Sequence, residues 1–517
     1  MQTSHTMGNT QLASVMGTRL VHLVLMLTLL TSALYSLPFA AAADSTSLPK
    51  LLLISFDGFG WNYFSKLPWS KLPNFQAFIN KGVQVRWVEN VFPTVTRPNH
   101  MSMVSGLYVE SHGIVANEFY DPALKATIPD EGSLQENDSA WVDVGAEPIW
   151  ITNSKAGQGR RSGTMYWPCS DAKIKNRLPE KMKRGGWNVT EEEKTPKQRI
   201  DWVFDWLTQE TEPVNFAAVY FGEPDEISHK HGPDSQEVLD AIVSRDVIVG
   251  QILRKIKEKK LEEKLNVIIT ADHGHAPIYR QTMINIDLLI EPPWYTSYQS
   301  MRFGTPMIML FPKGDSYEKI VTGLKDRINL HVETSSNSPD LLDLHYSLNR
   351  RIAPIVLYAE PGWVIGTNNT NFTDGNGNHG WDPRYAPLMY PFFIAMGPAF
   401  KKGVRNAEPF HIVDIYPLMC HILGLTPAPN NGSLDNTAHI LSSRPSDQSH
   451  TSGYHLTGVA IGLLVLILAV VIIVVIIRYV RKNNRNVTAA YKRPYTKAGS
   501  VEDLMTDGMV VLSDEEL

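Results

Sequence analysis

Six side chains in this sequence could hold metal ions: Asp57, Asp225, His229, Asp272, His273 and His379. Each sits in a turn containing Gly, Pro or His and not within a periodic apolar face. Oxygen and imidazole donors without thiolate suit zinc or a similar divalent ion, which takes three or four protein ligands. Six such groups, with one further donor, are enough for two ions. A pair of ions about 3.5–4 Å apart can hold the attacking and the leaving oxygen of a phosphoryl group. The spacing is feasible. Asp225 and His229 are four residues apart, so one helical turn brings them together. Asp272 and His273 are adjacent in one loop, where both can bend to a single ion. A nucleophile is available in Val91-Phe92-Pro93-Thr94-Val95-Thr96-Arg97-Pro98-Asn99-His100. A threonine hydroxyl attacks only once a metal or base removes its proton, so Thr94 or Thr96 would need to touch an ion.

The elements that must position these groups are legible as apolar runs. Lys50–Phe56 stops at Asp57-Gly58, Phe216–Phe221 stops near Asp225, and Leu265–Thr270 stops at Asp272-His273. Runs without polar alternation are expected of strands covered on both faces. Between the last two, Val238, Leu239, Ile242, Val247, Ile248, Ile252 and Ile256 recur at helical spacing within 235–264. The pattern predicts an α/β fold: a mostly parallel central sheet with helices on both faces, its ligands gathered beyond the carboxyl ends of the strands. The polar, Gly-rich and basic stretch 156–193 reads as an excursion from this core.

The 517 residues are 43% hydrophobic, and 48 basic against 53 acidic residues give a formal charge of -5. That composition excludes disorder and offers no field for general nucleic-acid binding. Cys169 and Cys420, the only cysteines, exclude a thiolate zinc site and leave a single disulfide open. The apolar stretch within 1–43 reads as a secretory signal. Residues 456–477 carry no charge over 22 positions and read as a membrane-spanning helix. Arg478, Arg481, Lys482 and Arg485 after it place 478–517 in the cytoplasm. The expected organisation is a signal peptide (1–43), an extracellular domain (44–433), a stalk (434–455), the span and a cytoplasmic tail: a type I plasma-membrane protein. Sequons at Asn137, Asn188, Asn368, Asn371 and Asn431 fit that compartment.

The run Thr96-Arg97-Pro98-Asn99-His100, the segments Ser105-Gly106-Leu107-Tyr108 and Glu110-Ser111-His112-Gly113, and then Asn117 resemble the nucleotide pyrophosphatase/phosphodiesterase family of the alkaline phosphatase superfamily. So do Glu223-Pro224-Asp225 with His229, Ala271-Asp272-His273-Gly274, and Gly377-Asn378-His379-Gly380, in order from about Leu51 to Ser433. The resemblance implies an alkaline-phosphatase-like domain with two Zn2+ ions. Asp57, Thr96, Asp272 and His273 would hold one ion, and Asp225, His229 and His379 the other. Thr96, favoured over Thr94 by the family's Thr-x-Pro-Asn spacing, would be the nucleophile, and Asn117 would donate to the phosphoryl oxygen. The implied substrates are extracellular nucleotide diesters and pyrophosphates, such as NAD, ADP-like molecules or dinucleotides. A choline-phosphodiester hydrolase of the same family and a non-catalytic receptor ectodomain are the alternatives. Where the family has an aromatic after the nucleophile, this chain has Arg97, expected to stack on a base or pair with a second phosphate. Tyr166 and Trp167 match the region near the base pocket. His275 stands where the family usually has Met and reads as a rim residue.

Overall fold

The computed structural model describes residues 48–129, 134–184, 195–334 and 338–442, with scattered positions between 467 and 482. Its centre is an eight-stranded sheet: β1 (Lys50–Phe56), β2 (Gly82–Val85), β3 (Ser162–Met165), β4 (Lys181–Lys183), β5 (Phe216–Phe221), β6 (Leu265–Thr270), β7 (Phe393–Met396) and β8 (Val404–Ala407). The spatial order is β8-β2-β7-β6-β1-β5-β3-β4. Strands β6 through β4 are mutually parallel, and β7 runs antiparallel to both its neighbours.

The uninterrupted apolar runs have the cause anticipated from the sequence. Leu51 and Leu53 pack on one face with Phe216, Ala218 and Ile268. Leu52, Ile54 and Phe56 pack on the other with Ala217, Val219, Phe221, Val267 and Ile269. Each such side chain contributes about 1.5–3 kcal/mol when fully removed from water, so both faces of β1 are fixed. The second face is covered by α1 (Pro73–Asn80), α4 (Pro196–Thr208) and α6 (Gln236–Glu258). The first is covered by α2 (Thr96–Ser105), α3 (Ile149–Lys155) and α7 (Ile415–Leu423). The remaining helix that matters here, α5 (Asp225–His231), follows β5 directly.

Helix α6 starts where Ser235 Oγ accepts the Val238 N–H, and Val238, Ile242, Ile248, Ile252 and Ile256 face the core. Val247 is 52% exposed instead, because the neighbouring Asp246 takes the inward position. Its Oδ1 accepts the N–H groups of Asn74 and Phe75, at 3.0 and 2.7 Å, and so caps α1. Deleting this carboxylate orphans two N–H donors at a helix start. Asp246→Ala should therefore lower stability by about 2 kcal/mol. A urea titration of the purified chain reads this directly, and an unchanged midpoint would contradict it.

Three sequence expectations change. The 156–193 stretch is no excursion: β3 and β4 within it form one edge of the central sheet, small residues such as Gly163 letting Trp206 close over them. The stalk does not begin at 434, since Ile440 and Leu441 are buried and Leu441 bridges to Phe400. Leu434, Ile440 and Leu441, with hydrogen bonds from the Lys401 N–H to Ile440 O and from the Ser442 N–H to Ala399 O, hold the chain on the core as far as 442. Cys169 and Cys420 are both buried, on separate segments of one core, and are not joined to each other, so the disulfide left open by the sequence does not form.

A second, antiparallel sheet of Tyr295–Thr296, Met307–Pro312, Leu330–Glu333 and Ile355–Ala359 lies between β6 and β7 in sequence and has its own core. The chain divides into two units, Met1–Ser443 and Arg444–Leu517. Among the described residues no helix is long and apolar enough to cross a membrane. The expected signal, most of the expected span and tail, and Asn188 lie outside the described residues.

Candidate metal centre

Because β6, β1 and β5 are neighbours and parallel, their carboxyl ends place Asp272, Asp57 and Asp225 side by side. The backbone ties them together. The Asp57 N–H donates to Phe221 O, the Asp225 N–H to Asp57 O, and the Gly58 N–H to Asp272 Oδ1 at 3.1 Å. Gly58 has φ +70, and a β-carbon there would lie 2.9 Å from Asp225 Cα and from His275 Nε2. Only glycine allows this approach.

Helix α5 then carries His229 one turn beyond Asp225, and the loop holding His379 closes from the other side. Two overlapping groups of ligand atoms result. In one, Asp225, His229, His275 and His379 converge; in the other, Asp57, Asp225 and His273 do. The His273 and His379 rings stack at 3.6 Å, so the two groups are contiguous. Asp272 Oδ2 and Asp57 Oδ1 lie 3.2 and 3.5 Å from His273 Nε2.

The tautomers show what these groups lack. Backbone carbonyls can only accept, so His229 Nδ1 must donate to Gly377 O, His379 Nδ1 to Thr94 O, and His273 Nδ1 to Gly274 O. Burial holds His273 and His379 neutral, His379 down to about 3. Their Nε2 atoms therefore carry lone pairs. Yet His379 Nε2 faces His229 Nε2 at 3.1 Å, and His273 Nε2 faces two carboxylates. Imidazole nitrogens and carboxylate oxygens are thus crowded together. Burial would raise the Asp225 carboxyl, but the His229, His275 and His379 imidazoles outweigh it and hold the group well below the usual range. Burial and the Asp225 charge together push Asp272 up, and its Oδ2 makes no hydrogen bond although wholly buried. A cation in each group reconciles every one of these contacts, so the residues fit divalent ions.

Thr96 opens α2 at the edge of this centre, its Oγ1 3.5 Å from His273 Nε2. The residues after it explain its placement. Asn99 accepts the Val91 N–H and donates to Pro93 O and Val95 O, clamping the preceding loop. His100 Nδ1 donates to Thr96 O while its Nε2 accepts from Ser55 Oγ. Thr94, the rival, is fully buried, donating to Trp381 O and accepting the Gly380 N–H. Its hydroxyl is committed. Asn117 Oδ1 accepts the Arg97 N–H at 2.8 Å, which leaves the amide NH2 to donate into the cleft that Asn117 lines.

That cleft, of about 840 Å³, runs from the centre to the antiparallel sheet's loops, with Val95, Lys230, Gln299, Phe303 and Phe372 on its walls. Three residues expected to bind substrate are elsewhere. Arg97 is 3% exposed, its guanidinium donating to Asn117 O and Pro129 O, so it is a strut behind Asn117. Trp167 is buried edge-on to His100, and the Tyr166 ring is covered by Arg199. None of the three lines the cleft. Conversely, His275 is no rim residue: it is 1% exposed, 2.8 Å from Asp225 Oδ1. The sequence signal for it was its place two residues past His273. Nothing in the sequence pointed to Gln299 or Phe303. Asn137, Asn368, Asn371 and Asn431 are all exposed, Asn371 at the cleft rim.

Known proteins are similar to this chain in sequence and fold. The sequence profile described as type I phosphodiesterase / nucleotide pyrophosphatase matches residues 51–382. Bis(5'-adenosyl)-triphosphatase enpp4 of Mus musculus is 40% identical over 403 residues, 77% of this chain and 83% of the relative. Ectonucleotide pyrophosphatase/phosphodiesterase family member 5 of Homo sapiens is 34% identical over 441 residues, 81% and 88% of the two chains. A solved murine family member 5, an inactive threonine-to-alanine variant in complex with AMP, superposes with a TM-score of 0.69 at 35% identity, covering 76% of this chain and all of that one. With more than half of its length matched by the family profile and relatives at this identity covered over most of their length, the chain belongs to the ectonucleotide pyrophosphatase/phosphodiesterase family of the alkaline phosphatase superfamily, enzymes that hydrolyse nucleotide phosphodiester bonds.

Proposed function

We propose that this chain is a zinc-dependent cell-surface hydrolase of nucleotide pyrophosphates, acting through a covalent threonine intermediate. The observation that carries the reading is the convergence of imidazole nitrogens and carboxylate oxygens in two contiguous groups beside the hydroxyl of Thr96. Asp57, Asp272, His273 and Thr96 would hold one Zn2+, and Asp225, His229 and His379 the other. Bound there, the ions supply Lewis acidity, lowering the hydroxyl's pKa and neutralising phosphoryl charge.

The chain's own residues do the rest. Thr96 Oγ attacks phosphorus in line, an O–P bond forming as the bond to the leaving oxygen breaks. The Thr96 proton is lost to solvent and the leaving group gains one. Water then attacks the same phosphorus and restores the hydroxyl. Asn117 Nδ2 donates to the phosphoryl oxygen, its orientation set by Arg97 N–H. The start of α2 adds the positive end of a helix dipole to the same anion. Arg97 is turned away, so we assign the nucleobase to the apolar wall of Val95, Phe303 and Phe372. A second phosphate is assigned to Lys230, the only lysine or arginine among the described lining residues. The name of the murine relative, a bis(5'-adenosyl)-triphosphatase, and the AMP complex of another support adenine nucleotides as the substrate class. The charge-free 456–477 run and the exposed sequons support a type I, glycosylated surface protein with this cleft outside the cell.

A substrate panel tests the reading. The solubilised chain should hydrolyse diadenosine triphosphate and a chromogenic nucleotide ester and leave a choline phosphodiester intact. Turnover of the choline ester alone would overturn it in favour of the phospholipase-C-like alternative, and turnover of none would favour a receptor.

A further inference from the structure

His275 differs from the three other imidazoles of the centre in one respect. His229, His273 and His379 each donate Nδ1–H to a backbone carbonyl, which bares Nε2 for a cation. His275 Nδ1 is buried without any hydrogen-bond partner. A proton on Nδ1 would be buried unpaired and would set a bare Nε2 lone pair against a carboxylate oxygen. The proton therefore belongs on Nε2, where Asp225 Oδ1 lies at 2.8 Å. The same oxygen is 3.5 Å from both His229 Nε2 and His379 Nε2, a wider spacing that leaves room for an ion between them.

We infer that His275 is a positioning residue: its Nε2–H holds the Asp225 carboxylate at the angle that both ligand groups share, and it does not itself bind the ion. This rests on the reading of Asp225, His229 and His379 as a cation site. The role is built into the fold. His275 is packed against the Gly58 turn, where a β-carbon would strike it, and its ring meets those of His229, His273 and His379 at 4.9–5.6 Å. It has no freedom to leave. Hydrogen bonds of this kind to a ligating carboxylate are typically worth 10–100-fold in metal affinity.

Two variants separate the possibilities. His275→Met keeps the volume and removes the donor, and His275→Gln places an amide N–H where Nε2 stands. Metal affinity, read by competition of the full chain against a chelating dye, should fall about 10–100-fold in His275→Met and stay within about threefold of wild type in His275→Gln. The visible spectrum of the cobalt-loaded protein should be the same in wild type and His275→Gln. Equal affinity in wild type and His275→Met would overturn the inference. So would a His275→Gln protein as weak as His275→Met, or one whose cobalt spectrum reports a lost nitrogen ligand, since imidazole would then bind the ion directly. A wild-type chain that takes up no metal would instead refute the cation site itself, a result distinguishable from all of these.

Discussion

Thr96→Ala should lower kcat by at least about 10⁴-fold, the scale seen when an enzyme loses its nucleophile, and should leave folding and metal uptake nearly intact. The change deletes one hydroxyl and one methyl group at the first position of α2. Asn99 and His100, which fix the loop and the helix start, bond to backbone atoms that alanine retains. Asp57, Asp272 and His273 remain to hold the ion. Thr94 cannot take over, since both sides of its hydroxyl are engaged by Trp381 O and Gly380 N–H. Thr96→Ser should recover a substantial part of the rate. Steady-state turnover of a chromogenic nucleotide ester checks both, and a Thr96→Ala enzyme with more than a tenth of wild-type kcat would contradict the assignment.

Removal of metal should have an effect of similar size. Chelation removes the charge that ties together the crowded contacts at His379–His229 and at His273–Asp57–Asp272, so activity should fall to background and stability should fall with it. At an ion concentration about a hundred times its dissociation constant, the ion stabilises the fold by about 2.7 kcal/mol. Zinc should restore both properties. Asp225→Asn sharpens the test, because Asp225 belongs to both ligand groups. The amide is neutral and offers one oxygen where the carboxylate offers two, so zinc content should drop at both positions and added zinc should not restore the rate. Elemental analysis alongside turnover reads this. Full activity after verified metal removal would contradict it.

The framework of the centre was legible because its determinants are local. A strand buried on both faces is apolar at most positions without alternation, and Lys50–Phe56, Phe216–Phe221 and Leu265–Thr270 have the bounds the sequence indicated. The acids at their ends then share one sheet edge by topology alone. Side-chain direction is not local in this sense. Arg97 was read as facing substrate, but the second residue of α2 points toward whatever packs beside the helix start, here the carbonyls of Asn117 and Pro129. Tyr166 and Trp167 have aromatic character suited to a base slot and are instead engaged by Arg199 and His100. The cleft's far wall was invisible for a related reason. Gln299 and Phe303 lie in loops of a small antiparallel sheet whose strands, such as Met307–Pro312, lack the polar alternation that marks a half-exposed sheet. His275 was underrated because its partner, Asp225, is 50 residues away in sequence.

The most direct test of the account is the stereochemical course at phosphorus, followed with a nucleotide diester made chiral there by isotopic or sulfur substitution. Attack by Thr96 and then by water comprises two in-line displacements, so the product should show net retention of configuration; net inversion would mean that water attacks the substrate in one step and that Thr96 forms no covalent intermediate.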